Sequence, residues 1–219
     1  EKEIEVVPNF IETTKYQNNY TDCQRSMMAK EDERIITHIS NFRKVKRIPD
    51  VIKIFHRIQK EIPAKLIMVG EGPEKERAED LCDALGIKEK VLFLGNSNEI
   101  DRILCFSDLF LLPSETESFG LAALEAMINK VAVISSNTGG IPEVNIDGVS
   151  GYLADVGDVD TMAQKSIEIL KDDRTLEKFK ENASSDGIFK GFNLVSLFPR
   201  EFRLTKMPIM SSFPVYWTK

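Results

Sequence analysis

Short apolar runs that alternate with segments of helical periodicity are the feature that most constrains the fold of this chain. Between the first two runs, apolar residues recur at helical spacing until Pro63 ends the pattern. Connections this regular predict a doubly wound α/β domain, in which helices cover both faces of a parallel sheet. The runs with the length of buried strands lie at residues 34–39, 65–69, 91–94, 109–112 and 131–135.

Three further helices are predicted after the second strand. The first spans residues 73–85, starts with Pro73 in its first turn and ends at Gly86. The others span residues 98–106 and 119–129. Ligands of doubly wound sheets bind beyond the carboxyl ends of the strands. We therefore expect five loops to gather at that edge, namely residues 40–46, 70–73, 95–97, 114–118 and 137–140.

Two glutamates eight positions apart, Glu117 and Glu125, bracket the run E-S-F-G-L-A-A-L-E. Glu117 precedes the predicted helix, and Glu125 lies about two turns inside it. The free N–H groups around Phe119, Gly120 and Leu121 would form a helix N-terminus, which attracts phosphate. A carboxylate on each side of an anion site suits a nucleotide sugar. On spacing alone, a capped surface helix with two solvated glutamates is an equal alternative.

The motifs, in their order along the chain, resemble those of retaining family-4 glycosyltransferases with the GT-B fold. The resemblance covers about residues 4–180 and implies the C-terminal, donor-binding domain of such an enzyme. It assigns residues 1–33 to the hinge and a partial connection to a first domain, residues 34–184 to the donor domain and residues 185–219 to an atypical tail. The motifs that carry it are V-V-P-N-F-I-E, G-E-G-P-E, V-L-F-L-G, P-S-E-T-E-S-F-G-L-A-A-L-E-A-M, N-T-G-G-I-P-E-V and G-Y-L-A-D.

The segment H-I-S-N-F-R-K-V-K-R, residues 38–47, resembles one branch of that family more closely. Members of this branch join N-acetylglucosamine to L-malate in bacillithiol biosynthesis. The resemblance therefore implies UDP-N-acetylglucosamine as the donor and L-malate, or a similar small hydroxy acid, as the acceptor. Alternatives that stay open are a non-catalytic nucleotide-sugar-binding module, a family-4 transferase with a lipid or sugar acceptor, and a nucleotide-sugar epimerase.

The same segment contains a basic loop, and such loops are usually charged residues exposed to solvent with no further role. The resemblance instead implies that Lys46 and Arg43 hold the donor diphosphate. Arg43 is the expected substitute because Asn41 stands where the family commonly has arginine. Cations placed in advance would stabilise the charge that the leaving diphosphate gains. No metal or other cofactor is expected, since the UDP-sugar is itself a substrate.

The resemblance implies roles for the remaining candidate residues. Glu125 accepts hydrogen bonds from the ribose hydroxyls, and Glu117 accepts them from the sugar hydroxyls. Glu117, Lys46 and Arg43 together form the implied catalytic set. The acceptor hydroxyl attacks from the face that the diphosphate leaves, and a phosphate oxygen takes its proton. Uracil is expected near Gly95 and Asn96. The other implied donor contacts are Ser118, Phe119, Gly120, Leu121, Glu71 and Gly72.

Several look-alike motifs have plainer interpretations. G-E-G at residues 70–72 begins a dinucleotide pattern, but Lys75 stands at the third glycine position, so a tight turn is preferred. D-V-D at residues 158–160 has metal-ligand spacing, yet it is expected to cap a helix that starts near Thr161. We interpret His38 and His56 as ordinary strand and helix residues. There is no serine–histidine–acid or cysteine–histidine grouping in the sequence from which to argue.

Composition narrows the partners. The net charge of −6 disfavours nucleic acid and acidic membranes, and no stretch approaches a membrane span or a signal segment. The three scattered cysteines suit a reducing cytoplasm and lack metal-ligand spacing. The expected partners are UDP-N-acetylglucosamine and a small hydroxy-acid acceptor, with a second copy of the chain as an open alternative.

Three departures from the family pattern qualify these expectations. The chain is expected to begin at the hinge, so that a lone donor domain would bind nucleotide but transfer sugar poorly. After the 119–129 helix, Asn129 is expected to end the helix, and Lys130 carries strain if a left-handed conformation is needed. The tail, rich in aromatic residues and proline, is expected to be poorly packed or extended; the alternative is an extension that covers apolar surface.

Overall fold

A computed structural model of the chain describes residues 25–183, which form a doubly wound α/β domain. Its six-stranded sheet has the order β3-β2-β1-β4-β5-β6, and every neighbouring pair is parallel. The predicted fold class is therefore confirmed. The strand order changes direction between β1 and β4, which is where ligands of such sheets bind. The strands are β1 (Arg34–Ile39), β2 (Ala64–Val69), β3 (Val91–Gly95), β4 (Leu109–Leu112), β5 (Ala132–Ser136) and β6 (Gly151–Ala154).

Helices cover both faces of the sheet because successive strand residues point to opposite sides. In β4, Leu109 and Leu111 pack into one core with α1, α2 and α6, whereas Phe110 and Leu112 pack into another with α4 and α5. A third core lies under α3. The helices are α1 (Ile48–Glu61), α2 (Lys75–Ala84), α3 (Ile100–Cys105), α4 (Leu121–Ile128), α5 (Ile141–Val144), α6 (Val159–Lys171) and α7 (Asp173–Ala183).

Local signals set two helix boundaries as predicted. Helix α1 has proline in its first turn and ends at Glu61, with Ile62 as its C-cap just before Pro63. Asp158 caps α6, because its carboxylate accepts a hydrogen bond from the Thr161 N–H at 2.9 Å. This confirms that D-V-D is a helix cap. Both histidines also occupy the predicted elements, since His38 lies in β1 and His56 in α1.

The predicted start of α2 at Pro73 is wrong, because the helix begins at Lys75. The Glu74 N–H donates instead to the Phe42 carbonyl at 2.9 Å, which holds residues 73 and 74 in a turn against the loop after β1. Helix α3 is likewise shorter than predicted. The Glu99 N–H donates to the Ser97 hydroxyl at 3.0 Å ahead of its first turn. Strand β6 and helices α5 and α7 were absent from the predicted elements.

The turn after α4 follows the expectation for a chain without the family glycine. Asn129 ends the helix, and its side-chain amide donates to the Glu125 carbonyl at 3.0 Å. Lys130 has a φ of 59°, so the left-handed conformation and its strain fall on a lysine.

A buried carboxylate at the amino end of β4 joins distant parts of the domain. Asp108 accepts hydrogen bonds from Arg25 at 2.7 Å, from the Ile35 N–H at 2.9 Å and from Lys180 at 3.3 Å. Residues 25–33, assigned from sequence to the connection with a first domain, are thereby held against this domain. Residues 1–24 of the assigned hinge segment and the whole assigned tail, residues 185–219, lie outside the described residues, as does the prediction of a poorly packed tail.

Candidate active site

The five loops predicted to gather at the carboxyl edge of the sheet do so, and backbone hydrogen bonds connect them. Each loop contributes a donor or an acceptor, so the edge is a single connected surface. These bonds run from the N–H of Phe42 to the carbonyl of Glu71 (2.9 Å), from Gly70 to Gly95 (2.8 Å), from Glu115 to Val45 (2.8 Å) and from Gly140 to Glu117 (3.2 Å).

A cleft of about 790 Å³ opens above this edge. Its walls come from the loops after β1, β2, β3 and β4 and from the first turns of α4. The volume lies in the usual range for pockets that hold small molecules and cofactors. The candidate residues that line it are Lys46, Asn96, Glu117, Ser118, Phe119, Gly120, Leu121 and Glu125.

The N-terminus of α4 lines this cleft, but the helix starts later than predicted. Gly120 has a φ of 86°, which a helical residue cannot adopt, so the helix begins at Leu121 rather than at Phe119. Leu121 and Ala122 line the cleft, and their N–H groups lie in the first turn, where a helix provides no acceptor. Glu125 is therefore little more than one turn inside the helix, not two.

A glycine loop supports the segment that carries Glu117. A Cβ atom added at Gly139 would lie 1.8 Å from the Glu117 carbonyl oxygen, and one added at Gly140 would lie 2.5 Å from that of Ser118. The two backbones are thus in direct contact. This contact explains why glycines occupy these positions of N-T-G-G-I-P-E, since any side chain there would displace the loop ahead of α4.

Replacing Gly139 with alanine is expected to destabilise the domain by at least about 3 kcal/mol, because backbone overlap adds to the strain of a positive φ. Gly148 is the matched control. Its φ is 71° against 55° for Gly139, and no atom lies within 4 Å of an added Cβ. Gly148→Ala should cost only about 1 kcal/mol. Urea unfolding of both variants measures the difference, and equal costs would contradict this role.

The structure brings together two candidate catalytic residues that are far apart in sequence. The Lys46 ammonium forms an ion pair with the Glu117 carboxylate, and the Ser114 hydroxyl donates to the same carboxylate at 2.9 Å. Both charged side chains are largely buried, with 20% and 13% of their surface exposed. An ammonium has three donors, so Lys46 can hold Glu117 and still contact a ligand.

Beneath this pair lies His38, which sequence reasoning left without a role. Its Nδ1 donates to the Leu111 carbonyl at 2.8 Å, and its Nε2 lies 2.7 Å from the hydroxyl of Ser40, which lines the cleft. Burial lowers its pKa from the ordinary value of 6.5 to about 4. The signal in the sequence was the i, i+2 spacing, which places both side chains on one side of a strand.

The depressed pKa of His38 makes stability depend on pH. Between pH 6.5 and pH 4 the unfolded histidine binds a proton and the native one does not, so stability falls as the pH is lowered through this window. The full loss is about 3 kcal/mol. Urea unfolding at pH 7 and pH 4.5 should show a smaller pH dependence for His38→Asn than for the wild type. Burial also lowers the pKa of half-buried His56, so His56→Asn should reduce the pH dependence as well, but less than His38→Asn does. A larger reduction in His56→Asn than in His38→Asn would contradict the assignment.

Four candidate residues do not line the cleft. Arg43 is exposed, and its side chain makes no hydrogen bond or ion pair with residues 25–183. Glu71 pairs with Lys75 at 2.7 Å, while Gly95 borders the Glu71 carboxylate. A Cβ added at Gly72 would lie 2.6 Å from the Phe42 carbonyl oxygen. Backbone packing therefore explains this glycine, in agreement with the tight-turn interpretation.

Two features are absent from the described part of the chain. Within residues 25–183, histidine, cysteine, aspartate and glutamate side chains do not come together in groups of three that could hold a metal ion. None of the helices described there is long and apolar enough to cross a membrane.

A doubly wound parallel sheet with a polar cleft at this edge is the architecture of one half of a GT-B glycosyltransferase, and solved GT-B enzymes share it. The profile of the family "Glycosyl transferases group 1" matches residues 22–186, and the chain belongs to this family.

The relatives agree with this assignment. N-acetyl-alpha-D-glucosaminyl L-malate synthase of Bacillus anthracis is 44% identical over 183 residues, which are 83% of this chain and 48% of that enzyme. The chain thus spans about half the length of the curated relatives it matches.

Two solved structures share the fold. Anabaena Alr3699/HepE, solved in complex with UDP and glucose, has a TM-score of 0.78 and 22% identity, covering 88% of this chain and 54% of that one. The C-terminal domain of the group 1 protein LpcC from Francisella tularensis has a TM-score of 0.73 and 24% identity. That match covers 84% of this chain and 98% of the domain. At these identities the likeness concerns the fold alone.

Proposed function

We propose that this chain is the donor-binding half of a retaining glycosyltransferase that transfers N-acetylglucosamine from UDP-N-acetylglucosamine to L-malate or a similar small hydroxy acid. The observation that carries the proposal is a single cleft flanked by the Lys46–Glu117 pair, the N-terminus of α4 and Glu125. The name of the Bacillus anthracis relative supports this sugar and this acceptor.

The donor diphosphate would bind where positive charge and free donors meet. In this proposal, Lys46 and the N–H groups of Leu121 and Ala122 contact its oxygens, because a helix N-terminus and an ammonium both favour anions. Exposed Arg43 closes over the same phosphates from the rim. These groups offset the negative charge that UDP gains as the glycosidic bond breaks.

The hydroxyl-bearing parts of the donor would flank the diphosphate. We assign Glu125, half-buried on α4, to the ribose hydroxyls and Glu117 to the sugar hydroxyls, since each carboxylate can accept two hydrogen bonds. Asn96 lies at the end of the cleft formed by the β3 loop and is assigned to uracil, next to Gly95. In this proposal Glu71 and Gly72 do not contact the donor directly but support the loop that carries Gly95 and Asn96.

The transfer step follows from this arrangement. The acceptor hydroxyl attacks the anomeric carbon from the face that the diphosphate leaves, so the configuration is retained. The bond from carbon to the β-phosphate oxygen breaks, and a phosphate oxygen takes the proton of the acceptor. This half of the enzyme then contributes charge stabilisation and positioning rather than a general base.

Calorimetric titration of the 219-residue chain with UDP, UDP-N-acetylglucosamine and GDP tests the donor assignment. We expect binding of both uridine nucleotides and at least about tenfold weaker binding of GDP, because a larger base would not fit the same contacts. Equal binding of GDP, or no binding of uridine nucleotides, would contradict the proposal.

A second candidate is favoured by the coverage of the relatives, since this chain corresponds to 48% of the Bacillus anthracis enzyme. The chain would then bind nucleotide sugar without transferring it. Release of UDP that depends on added L-malate separates the two functions. Such release supports transfer by this chain, whereas donor binding without release supports the binding module.

A further inference from the structure

The proposed donor contacts leave two connected polar side chains unused at the carboxyl end of β1. Ser40 lines the cleft, and His38 lies fully buried beneath it. The hydroxyl and the imidazole Nε2 are 2.7 Å apart. The pair therefore connects the core of the domain to the floor of the cleft, and its protons determine what the floor presents to a ligand.

The direction of these hydrogen bonds follows from the third partner. The Leu111 carbonyl can only accept, so the Nδ1 atom of His38, 2.8 Å away, carries the ring proton. Burial and the nearby Lys46 ammonium keep the pKa of His38 near 4, so the ring is neutral and Nε2 is an acceptor. The single proton of the Ser40 hydroxyl is then donated to Nε2. Only lone pairs of this oxygen remain to face the cleft.

We propose that Ser40 Oγ accepts a hydrogen bond from a hydroxyl or amide N–H of the bound nucleotide sugar, and that His38 is the positioning residue that orients this hydroxyl. The inference rests on the proposed function and adds a specificity determinant to it. An oxygen that can only accept attracts neutral donor groups and repels phosphate oxygens. Ser40 thereby separates the hydroxyl-binding part of the cleft from the diphosphate part at Lys46 and α4.

The same geometry argues against a proton relay through the pair. A relay would leave a positive charge on a fully buried imidazole between the Lys46 ammonium and the Glu117 carboxylate. Burial and the Lys46 cation disfavour that charge more than the Glu117 carboxylate favours it. His38 therefore acts by holding the serine proton and does not take a proton from the acceptor.

Four versions of the chain test this inference by calorimetric titration with UDP-N-acetylglucosamine: wild type, Ser40→Ala, His38→Asn and the double variant. Loss of one neutral hydrogen bond should weaken binding by about 3- to 10-fold in Ser40→Ala. His38→Asn should weaken it to a similar extent, because the hydroxyl is then free to turn its proton towards the ligand. The double variant should bind no more weakly than Ser40→Ala, since His38 acts only through Ser40.

A purely structural role would give a different pattern. The two single effects would then multiply in the double variant, or Ser40→Ala would bind like the wild type, and either result overturns the inference. Urea unfolding of each variant separates lost affinity from lost folding, and Ser40→Ala alone decides the matter if His38→Asn does not fold. Failure of the wild type to bind UDP-N-acetylglucosamine overturns the proposed function, and this inference with it. Wild-type binding with an unchanged Ser40→Ala overturns the inference alone.

Discussion

Glu125→Ala is expected to lower the affinity of the chain for UDP by about 100-fold, because two hydrogen bonds from ribose hydroxyls to a carboxylate are lost. Glu125 is half-buried on α4 and lines the cleft, so its carboxylate can reach a bound ribose with no change in the helix. Calorimetric titration with UDP measures the loss.

The control is Glu76→Ala, which removes an exposed glutamate of α2 that does not line the cleft. The affinity of the Glu76→Ala variant for UDP should equal that of the wild type. Titration with 2′-deoxy-UDP sharpens the assignment. The wild type should bind this analogue more weakly than UDP, whereas Glu125→Ala should discriminate less between the two. An unchanged affinity of Glu125→Ala for UDP would contradict the assignment of the ribose contact.

Lys46→Met is expected to weaken UDP binding by about 30- to 100-fold, since a charge-assisted contact to the diphosphate disappears. Uridine, which lacks phosphate, should bind both proteins equally. Lys44→Met is a matched control two residues away in the same loop, where the lysine is exposed and does not line the cleft. Equal losses of UDP affinity in the two variants would show that net charge, and not a contact by Lys46, causes the effect.

The ion pair adds a second readout to the same variant. Without Lys46, the Glu117 carboxylate keeps its hydrogen bond from Ser114 but loses its cation while largely buried. Lys46→Met should therefore also lower the free energy of unfolding by about 1–3 kcal/mol. Lys46→Met combined with Glu117→Gln should recover most of this stability without recovering affinity for UDP. Recovery of both would assign Lys46 to the fold and not to the ligand.

The order of strands and helices was predictable because it depends on patterns that are local in sequence. The run Leu109–Leu112 is apolar at every position, as a strand buried on both faces requires, and its alternate residues do pack into two different cores. Helix α1 was predictable from its apolar spacing and from Pro63. The errors at α2 and α4 came from contacts that the spacing does not contain, namely the turn against Phe42 and the positive φ of Gly120.

The candidate site was predictable in part. The predicted parallel sheet implied that the loops after its strands meet at one edge, and eight candidate residues do line one cleft there. Arg43 is exposed outside the cleft lining, so its contact with the diphosphate stays a prediction. Gly72 follows a glycine pattern that serves backbone packing, and this pattern looks the same in sequence as one that serves a ligand.

Local patterning in the sequence was sufficient for the parallel α/β class, the edge of the sheet where the motifs gather and the helix cap at Asp158. The pairing of groups across the fold was not contained in that patterning. Lys46 and Glu117 are 71 positions apart, and His38 and Leu111 are 73 positions apart. Such contacts depend on the register between β1 and β4 and on burial, which set whether a charge is paired and where a proton lies. The physical reason is that periodicity reports which face of an element is buried, whereas ionisation and hydrogen-bond direction depend on what packs against that face.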